Sequence, residues 1–168
     1  MTNAEWRPMT PADIAAVYTI AAAIHVALPE HAFVFAERQR LYPKGCFMLE
    51  VDGEPAGYVI SHPWHYLRPP PLNTLLGRIP GDASTYYIHD LALLPSSRRT
   101  GAGSAIARRL VAHAEEVGLP NVSLIAVYDA ATFWQRHGFD DVDDPALAKK
   151  LAGYGAEARM MVRLVERA

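Results

Sequence analysis

The sequence predicts an α/β fold, a mixed sheet with helices on both faces, and three observations predict it. Asp52-Gly53 sits between two apolar runs as a hairpin turn, because both residues tolerate positive φ. Downstream, Thr85–Leu93, Gly101–Val117 and Val122–Val127 follow one another as strand, helix and strand, the pattern of a crossover connection. Of the 168 residues, 51% are hydrophobic and 20% charged, a balance that builds a core and does not leave the chain disordered.

Glu5–Met9 reads as a short first strand. Thr10-Pro11-Ala12-Asp13 opens a helix with a capping threonine, a first-turn proline and a first-turn acid. Ile14, Val17, Tyr18, Ala21 and Ile24 then recur at helical spacing to about Ala27. Pro29 interrupts, and His31 to about Arg40 reads as a second helix. Cys46–Val51 and Pro55–Ser61 are the two hairpin strands. From about Pro63 to Ala83 no periodicity survives, and Pro69-Pro70-Pro71, Pro80 and Gly81 mark a long loop, which in a compact domain is usually functional or mobile. Thr85–Leu93 is ended by Pro95. Ala102, Ile106, Leu110, Ala114 and Val117 form one apolar stripe on the helix Gly101–Val117, which Gly118 and Pro120 terminate. After the strand Val122–Val127 come a short helix Ala130–His137 ended by Gly138, a strand Phe139–Val142, a helical turn Pro145–Leu151 and a last strand Ala158–Val165. The order is β-α-α-β-β-β-α-β-α-β, with no internal repeat, and 1–168 reads as one domain.

Composition narrows the function. A net charge of −2 gives no global field for nucleic acid or anionic lipid, so no nucleic-acid partner is expected. The single cysteine, Cys46, forbids an internal disulfide and a cysteine zinc cluster, and its apolar surroundings read as packing. Met1–Pro11 lacks a basic-then-apolar signal pattern, and no apolar run approaches the roughly 18–20 residues that span a bilayer. A soluble, cytoplasmic protein with no membrane partner is expected.

The chemistry concentrates in Tyr86–Ser104, where a strand runs into a glycine-containing turn that opens a helix. The first turn of a helix leaves backbone N–H groups without internal partners, and with the helix dipole these favour a phosphate. Gly101 and Gly103 permit close approach and unusual φ, and Arg98 and Arg99 add charge that pairs with phosphates. A plain helix entry with solvated arginines explains Gly-x-Gly equally well. The segment is not a P-loop, having no Gly-Lys-Ser/Thr, nor a dinucleotide fingerprint, since Ile106 takes the third glycine position.

Arg98-x-x-Gly101-x-Gly103 resembles the Arg/Gln-x-x-Gly-x-Gly/Ala motif of the GNAT (GCN5-related N-acetyltransferase) superfamily. Leu91-Ala92-Leu93-Leu94-Pro95 looks like that family's strand end, and Ala130–Phe139 resembles its Ala-x-x-Phe-Tyr-x-x-x-Gly-Phe element. The resemblance implies a mostly antiparallel sheet of six or seven strands with a splayed central pair, acetyl-CoA as co-substrate and no metal. It implies that backbone amides from Arg99 through Thr100, Gly101, Ala102 and Gly103 to Ser104 cradle the pyrophosphate. Leu91 and Leu93 would pair with the pantetheine arm, and Phe133 and Trp134 would wall it.

Acetyl transfer needs a neutral amine, so a base helps. Related enzymes often carry an acid at the position of His89 or Asp90. The two alternate on the strand, so a regular pleat points only one into the cleft unless a bulge intervenes. His89 is the favoured base, with an ordinary pKa of about 6.5, and Asp90 the second. A hydrogen-bonded structural histidine is the competing reading. The family's acid, a tyrosine, is replaced by Trp134, whose indole cannot give up a proton; Tyr128 is the nearest substitute.

Ser61–Tyr66 leads toward the expected acceptor side, where His62 and Trp64 are candidate acceptor contacts. His62 and His65 lack a third clear metal ligand. His25, His31 and His113 read as surface or core residues, and Asp140, Asp141, Asp143 and Asp144 as a solvated turn. The expected activity is N-acetylation of a small-molecule or peptide amine, without a covalent intermediate; the alternative is a non-catalytic acyl-CoA-binding module. A homodimer is the default assembly.

Overall fold

The computed structural model describes residues 2–165. The ends of the expected domain, residue 1 and residues 166–168, lie outside the described residues. The strands are β1 (Ala4–Pro8), β2 (Cys46–Val51), β3 (Glu54–Trp64), β4 (Thr85–Leu93), β5 (Asn121–Ala126), β6 (Asp140–Asp141) and β7 (Arg159–Leu164). The helices are α1 (Ile14–Ile24), α2 (Ala32–Leu41), α3 (Ala102–Glu116), α4 (Ala131–Arg136) and α5 (Ala148–Ala152). One seven-stranded sheet runs β1-β2-β3-β4-β5-β7-β6. Only β4 and β5 pair in parallel, because α3 carries the chain back between them.

Period-two alternation divides the core. Phe47, Val59, Tyr86, Ile88, Val122 and Leu124 face α3, where Ile106, Leu110 and Ala114 complete a buried cluster. Met48, Tyr58, Ile60 and Ala92 face α1 and α2, packing with Val17, Ile20 and Phe35. Cys46 is buried there, and burial pushes its thiol up to about 12, which makes it a packing residue rather than a nucleophile. Thr10 caps the chain's entry to α1 as expected, but the first turn, Pro11–Asp13, is a 3-10 helix; Asp13 Oδ2 accepts from the Thr10 N–H at 2.7 Å. Arg7 joins that carboxylate at 2.8 Å and Glu50 at 2.6 Å, tying β1 to α1 and β2.

The largest departure from expectation is β3, which runs three residues past Ser61 and through Pro63. The partner strand β2 stops opposite Ile60, so beyond that point β3 is paired on one side only. A proline, which has no N–H to donate, is tolerated on such an edge. The strand expected over Phe139–Val142 shrinks to Asp140–Asp141. In the acidic turn beyond it, Asp144 accepts from the Ala146 N–H at 2.9 Å, as a turn-capping aspartate does.

The connection between β3 and β4 is irregular but fastened. Glu37 accepts from the Leu76 and Gly77 N–H groups at 2.6 and 3.0 Å, and Arg38 Nη1 donates to Thr74 O at 3.0 Å. Asn73 N–H donates to Glu30 at 2.8 Å, and the Tyr154 hydroxyl donates to Pro70 O. The long loop is therefore pinned along α2, at Glu30 just before it and at Tyr154 after α5. Among the described residues no helix is long and apolar enough to cross a membrane.

Candidate active site

Strands β4 and β5 pair at only three positions, Tyr86 with Val122, Tyr87 with Ser123 and Ile88 with Leu124. Beyond Ile88 they part. The gap is a cleft of about 120 Å³ with two kinds of wall. Ile88, Leu91, Leu124, Ala126, Ala130 and Trp134 make it apolar on one side, and His25, Glu30, His89, Asp90, Tyr128 and Tyr154 make it polar on the other.

The polar wall exists because of a bulge. Opposite β3, Ile88 pairs with Ser61 and Asp90 with Ile60, so His89 is an extra residue with no partner. A bulge shifts the alternation by one. Tyr86, Ile88 and Leu91 consequently face α3, whereas Asp90 and Ala92 lie on the α1 and α2 face together with His89. A regular pleat would have separated the two adjacent titratable residues; here both reach the same wall.

Each meets a partner from the α1–α2 connection. His89 Nε2–H donates to Glu30 Oε1 at 2.8 Å, with side-chain exposures of 1% and 5%. A carboxylate on Nε2 fixes the tautomer and leaves the lone pair on Nδ1. That Nδ1 is buried and has no protein partner among the described residues. Asp90 accepts from the Tyr58 hydroxyl at Oδ2 and from His25 Nε2–H at Oδ1, the latter at 2.8 Å. Burial would raise the Glu30 carboxyl, but His89, the Asn73 N–H and the charge of Arg38 together draw it down to about 2. Burial would lower His25, but Asp90, aided by Glu30, leaves it above its ordinary 6.5.

Glu30 therefore carries a pH signature. Its proton affinity falls from an ordinary 4.5 to about 2 on folding, so the unfolded chain binds the proton first as pH drops. The stabilisation is complete above about pH 4.5 and vanishes as pH falls through about 2, for a total on the order of 3 kcal/mol. Urea midpoints between pH 5 and 2 are expected to fall steeply in the parent protein and less steeply in Glu30→Gln; equal slopes would remove the assignment.

At the far end of β4, Gly101 caps α3 in the left-handed conformation, φ 82°, and Arg99 is also left-handed, φ 67°. Thr100 Oγ1 accepts from the Ala102 N–H at 3.3 Å. Among the described residues the N–H groups of Arg99, Thr100, Gly101, Gly103 and Ser104 have no backbone or side-chain acceptor. Arg98 and Arg99 are exposed beside them. The mouth of α3 is thus open and rich in donors. Gly103 has a different duty: a Cβ there would meet Leu93 Cδ1 at 3.2 Å and the Phe133 ring at 3.4 Å, so this glycine lets α3 pack against β4 and α4. Leu93 and Phe133 pack beside Gly103 at the mouth, Phe133 touches Trp134, and Leu91 and Trp134 line the cleft itself.

Not every candidate converges. His62 is buried, donates from Nδ1 to Pro63 O at 2.9 Å, and is pushed down to about 3 by burial. The Trp64 indole donates to Arg68 O at 2.8 Å. Neither lines the cleft, because the extension of β3 carries both along the sheet away from the parting. His65 stands 4.0 Å from Asp82, and no group of three metal-ligating side chains occurs among the described residues. Conversely, His25, read from sequence as surface or core, stands in the cleft. Glu30, Tyr58 and Tyr154 belong to no motif in the sequence. The one signal available for His25 and Glu30 was their place beside the helix break at Pro29, since loops on a rigid scaffold carry sites.

This sheet, parted at β4 and β5 beside an open helix mouth, belongs to a known class. The sequence matches the acetyltransferase (GNAT) family over residues 14–139, and the chain belongs to that family. No curated protein matches it in sequence. Among solved structures, Ard1 from Thermoplasma volcanium is similar with a TM-score of 0.71 at 21% identity, over 98% of this chain and 99% of that one. The GphF GNAT-like decarboxylase in complex with isobutyryl-CoA gives 0.77 at 14% identity, over 96% and 100%. The ribosomal-protein-S18-alanine N-acetyltransferase from Escherichia coli gives 0.66 at 18%, over 99% and 96%. At these identities the likeness is one of fold.

Proposed function

We propose that the chain is an acetyl-CoA-dependent N-acetyltransferase that acetylates a primary amine, of a small molecule or a peptide, by direct transfer in a ternary complex. The observation that carries this reading is continuity: unpartnered amides at the mouth of α3 lead along Leu93 and Leu91 to a cleft that holds an oriented histidine. The amides from Arg99 to Ser104, with Arg98 and Arg99, suit the two phosphates of coenzyme A. The free edge of β4 beyond Ile88 suits the amide groups of the pantetheine arm, as an added strand does.

In this reading His89 is the base. Its Nδ1 lone pair takes a proton from the acceptor ammonium, directly or through one water, while Glu30 holds Nε2–H and stabilises the imidazolium. The neutral amine attacks the thioester carbonyl, the N–C bond forms and the C–S bond breaks. In this reading Trp134 borders the leaving sulfur as a wall and not as an acid, since its indole N–H donates a hydrogen bond but gives up no proton.

The test has two stages. Acetyl-CoA is expected to raise Tm by mass action, and a panel of primary amines read by free-thiol release is expected to contain acceptors. Thermal stabilisation with no thiol release above background across the panel would replace the enzyme with an acyl-CoA-binding module, the reading that the tryptophan at 134 favours. No stabilisation would remove both.

A further inference from the structure

Asp90, His25 and Tyr128 come from three distant parts of the chain, and all three line the cleft. Asp90 lies just past the β4 bulge, His25 ends α1 at its C-cap, and Tyr128 lies in the turn after β5. Both Asp90 oxygens are used, by the Tyr58 hydroxyl and by His25 Nε2–H. The other imidazole nitrogen, Nδ1, stands 3.4 Å from Tyr128 Oη, with the two rings 13° from parallel. Tyr128 holds φ 56°, a left-handed conformation that costs free energy in any residue but glycine. Such strain persists where the surroundings impose it and is a pointer to function. The order along this line is carboxylate, imidazole, phenol, the order in which a buried acid orients a histidine toward a reacting hydroxyl.

We propose that His25 is the proton donor behind Tyr128, with Asp90 as its positioning residue, so that the Tyr128 phenol protonates the departing thiolate. The proposal rests on the acetyltransfer reading. It supplies what Trp134 cannot. As the N–C bond forms and the C–S bond breaks, the electron pair leaves on sulfur, and sulfur takes the phenol proton. The phenolate takes the Nδ1 proton of the His25 imidazolium. His25 then regains a proton from solvent, to which its side chain is 14% exposed. Two protons leave the nitrogen in turn through His89 to solvent, one before attack and one as the amide forms; sulfur gains one from solvent through His25 and Tyr128, and one proton is released net.

The electrostatics agree with these roles. The charged and titratable groups facing His25 are Asp90 from β4, Glu30 from the α1–α2 connection and Tyr128 from the turn after β5, with Tyr58 of β3 behind Asp90. Against the desolvation that would lower it, Asp90, aided by Glu30, holds the imidazole above its ordinary range, the direction a proton donor needs. Burial and then the Asp90 charge raise the Tyr128 phenol, which keeps it protonated at rest.

The experiment combines kinetics with an independent reading of His25. Thiol release from acetyl-CoA is followed against pH with the best acceptor of the amine panel. The parent protein is expected to lose kcat as pH rises through the His25 titration. His25→Gln and Tyr128→Phe are each expected to lower kcat by on the order of 10²-fold and to abolish that alkaline limb, with acetyl-CoA affinity by calorimetry unchanged. The double variant is expected to be no slower than Tyr128→Phe alone, because the two residues act in one line. Nitrogen-15 NMR of the histidines is expected to show His25 titrating above 6.5 in the parent and lower in Asp90→Asn. Normal turnover with an unmoved limb in His25→Gln, additive losses in the double variant, or a His25 already neutral at pH 6 would each overturn the relay and leave acetyl transfer standing. Failure of the parent protein to bind acetyl-CoA would instead remove acetyl transfer, and the relay with it.

Discussion

His89→Gln is expected to lower kcat by about 10²–10⁴-fold, the usual worth of a positioned base, and to leave the Kd for acetyl-CoA within about threefold. The reasons are local. Glu30 occupies Nε2, and Nδ1 is the one buried imidazole nitrogen of the cleft without a protein partner among the described residues. Glutamine retains a hydrogen-bonding group for Glu30 but offers no basic lone pair at neutral pH. The loss should therefore appear at neutral pH and shrink as pH rises toward the amine's own pKa, where the acceptor no longer needs a base. Glu30→Gln is expected to give a smaller loss, because the imidazole stays and only its orientation and the stabilisation of its charged form weaken. Thiol-release rates across pH 6–10 check both. A His89→Gln enzyme within threefold of the parent throughout would return His89 to the structural role that its burial also permits.

Gly101→Trp is expected to weaken acetyl-CoA binding by at least about 10²-fold, since loss of two charge-assisted hydrogen bonds at about 1.5–3 kcal/mol each suffices. The site is suited to the test. Gly101 holds φ 82°, and a Cβ there meets nothing within 4 Å, so a side chain would start into open space beside the unpartnered amides. The folded state bears only the left-handed strain of about 1–2 kcal/mol, a fall in Tm of several degrees. Gly103→Ala is the contrast: its Cβ turns toward Leu93 and Phe133, so it is expected to disturb the packing of α3 more than the cradle. Calorimetric titration with acetyl-CoA, beside thermal unfolding of each variant, separates the two effects. Parent-like affinity in a folded Gly101→Trp would place the phosphates elsewhere.

The family's Gly-x-Gly motif is legible in sequence, but the two glycines turn out to serve different ends, one a backbone conformation and the other a close approach. Only coordinates distinguish these, because both requirements select the same residue. The hairpin turn at Asp52-Gly53, the strand before it and the strand Thr85–Leu93 were readable for the opposite reason: turn chemistry and apolar runs are local, and Cys46–Val51 and Thr85–Leu93 were met residue by residue. The extension of β3 through Pro63 was not readable, since a proline ends a strand or sits on its edge according to where the neighbouring strand stops. That same extension removes His62 and Trp64 from the cleft.

Sequence alone determined the α/β class, the strand–helix–strand unit and the helix read over Gly101–Val117, because each depends on residues a few positions apart. Tertiary structure decided how β4 meets its neighbour: one extra residue at His89 turns two consecutive side chains to the same wall. It also decided what they meet there, Glu30 and His25, which lie 59 and 65 residues away along the chain. A bulge is settled by competition between two strands and a cavity, and no spacing rule within either strand encodes its outcome.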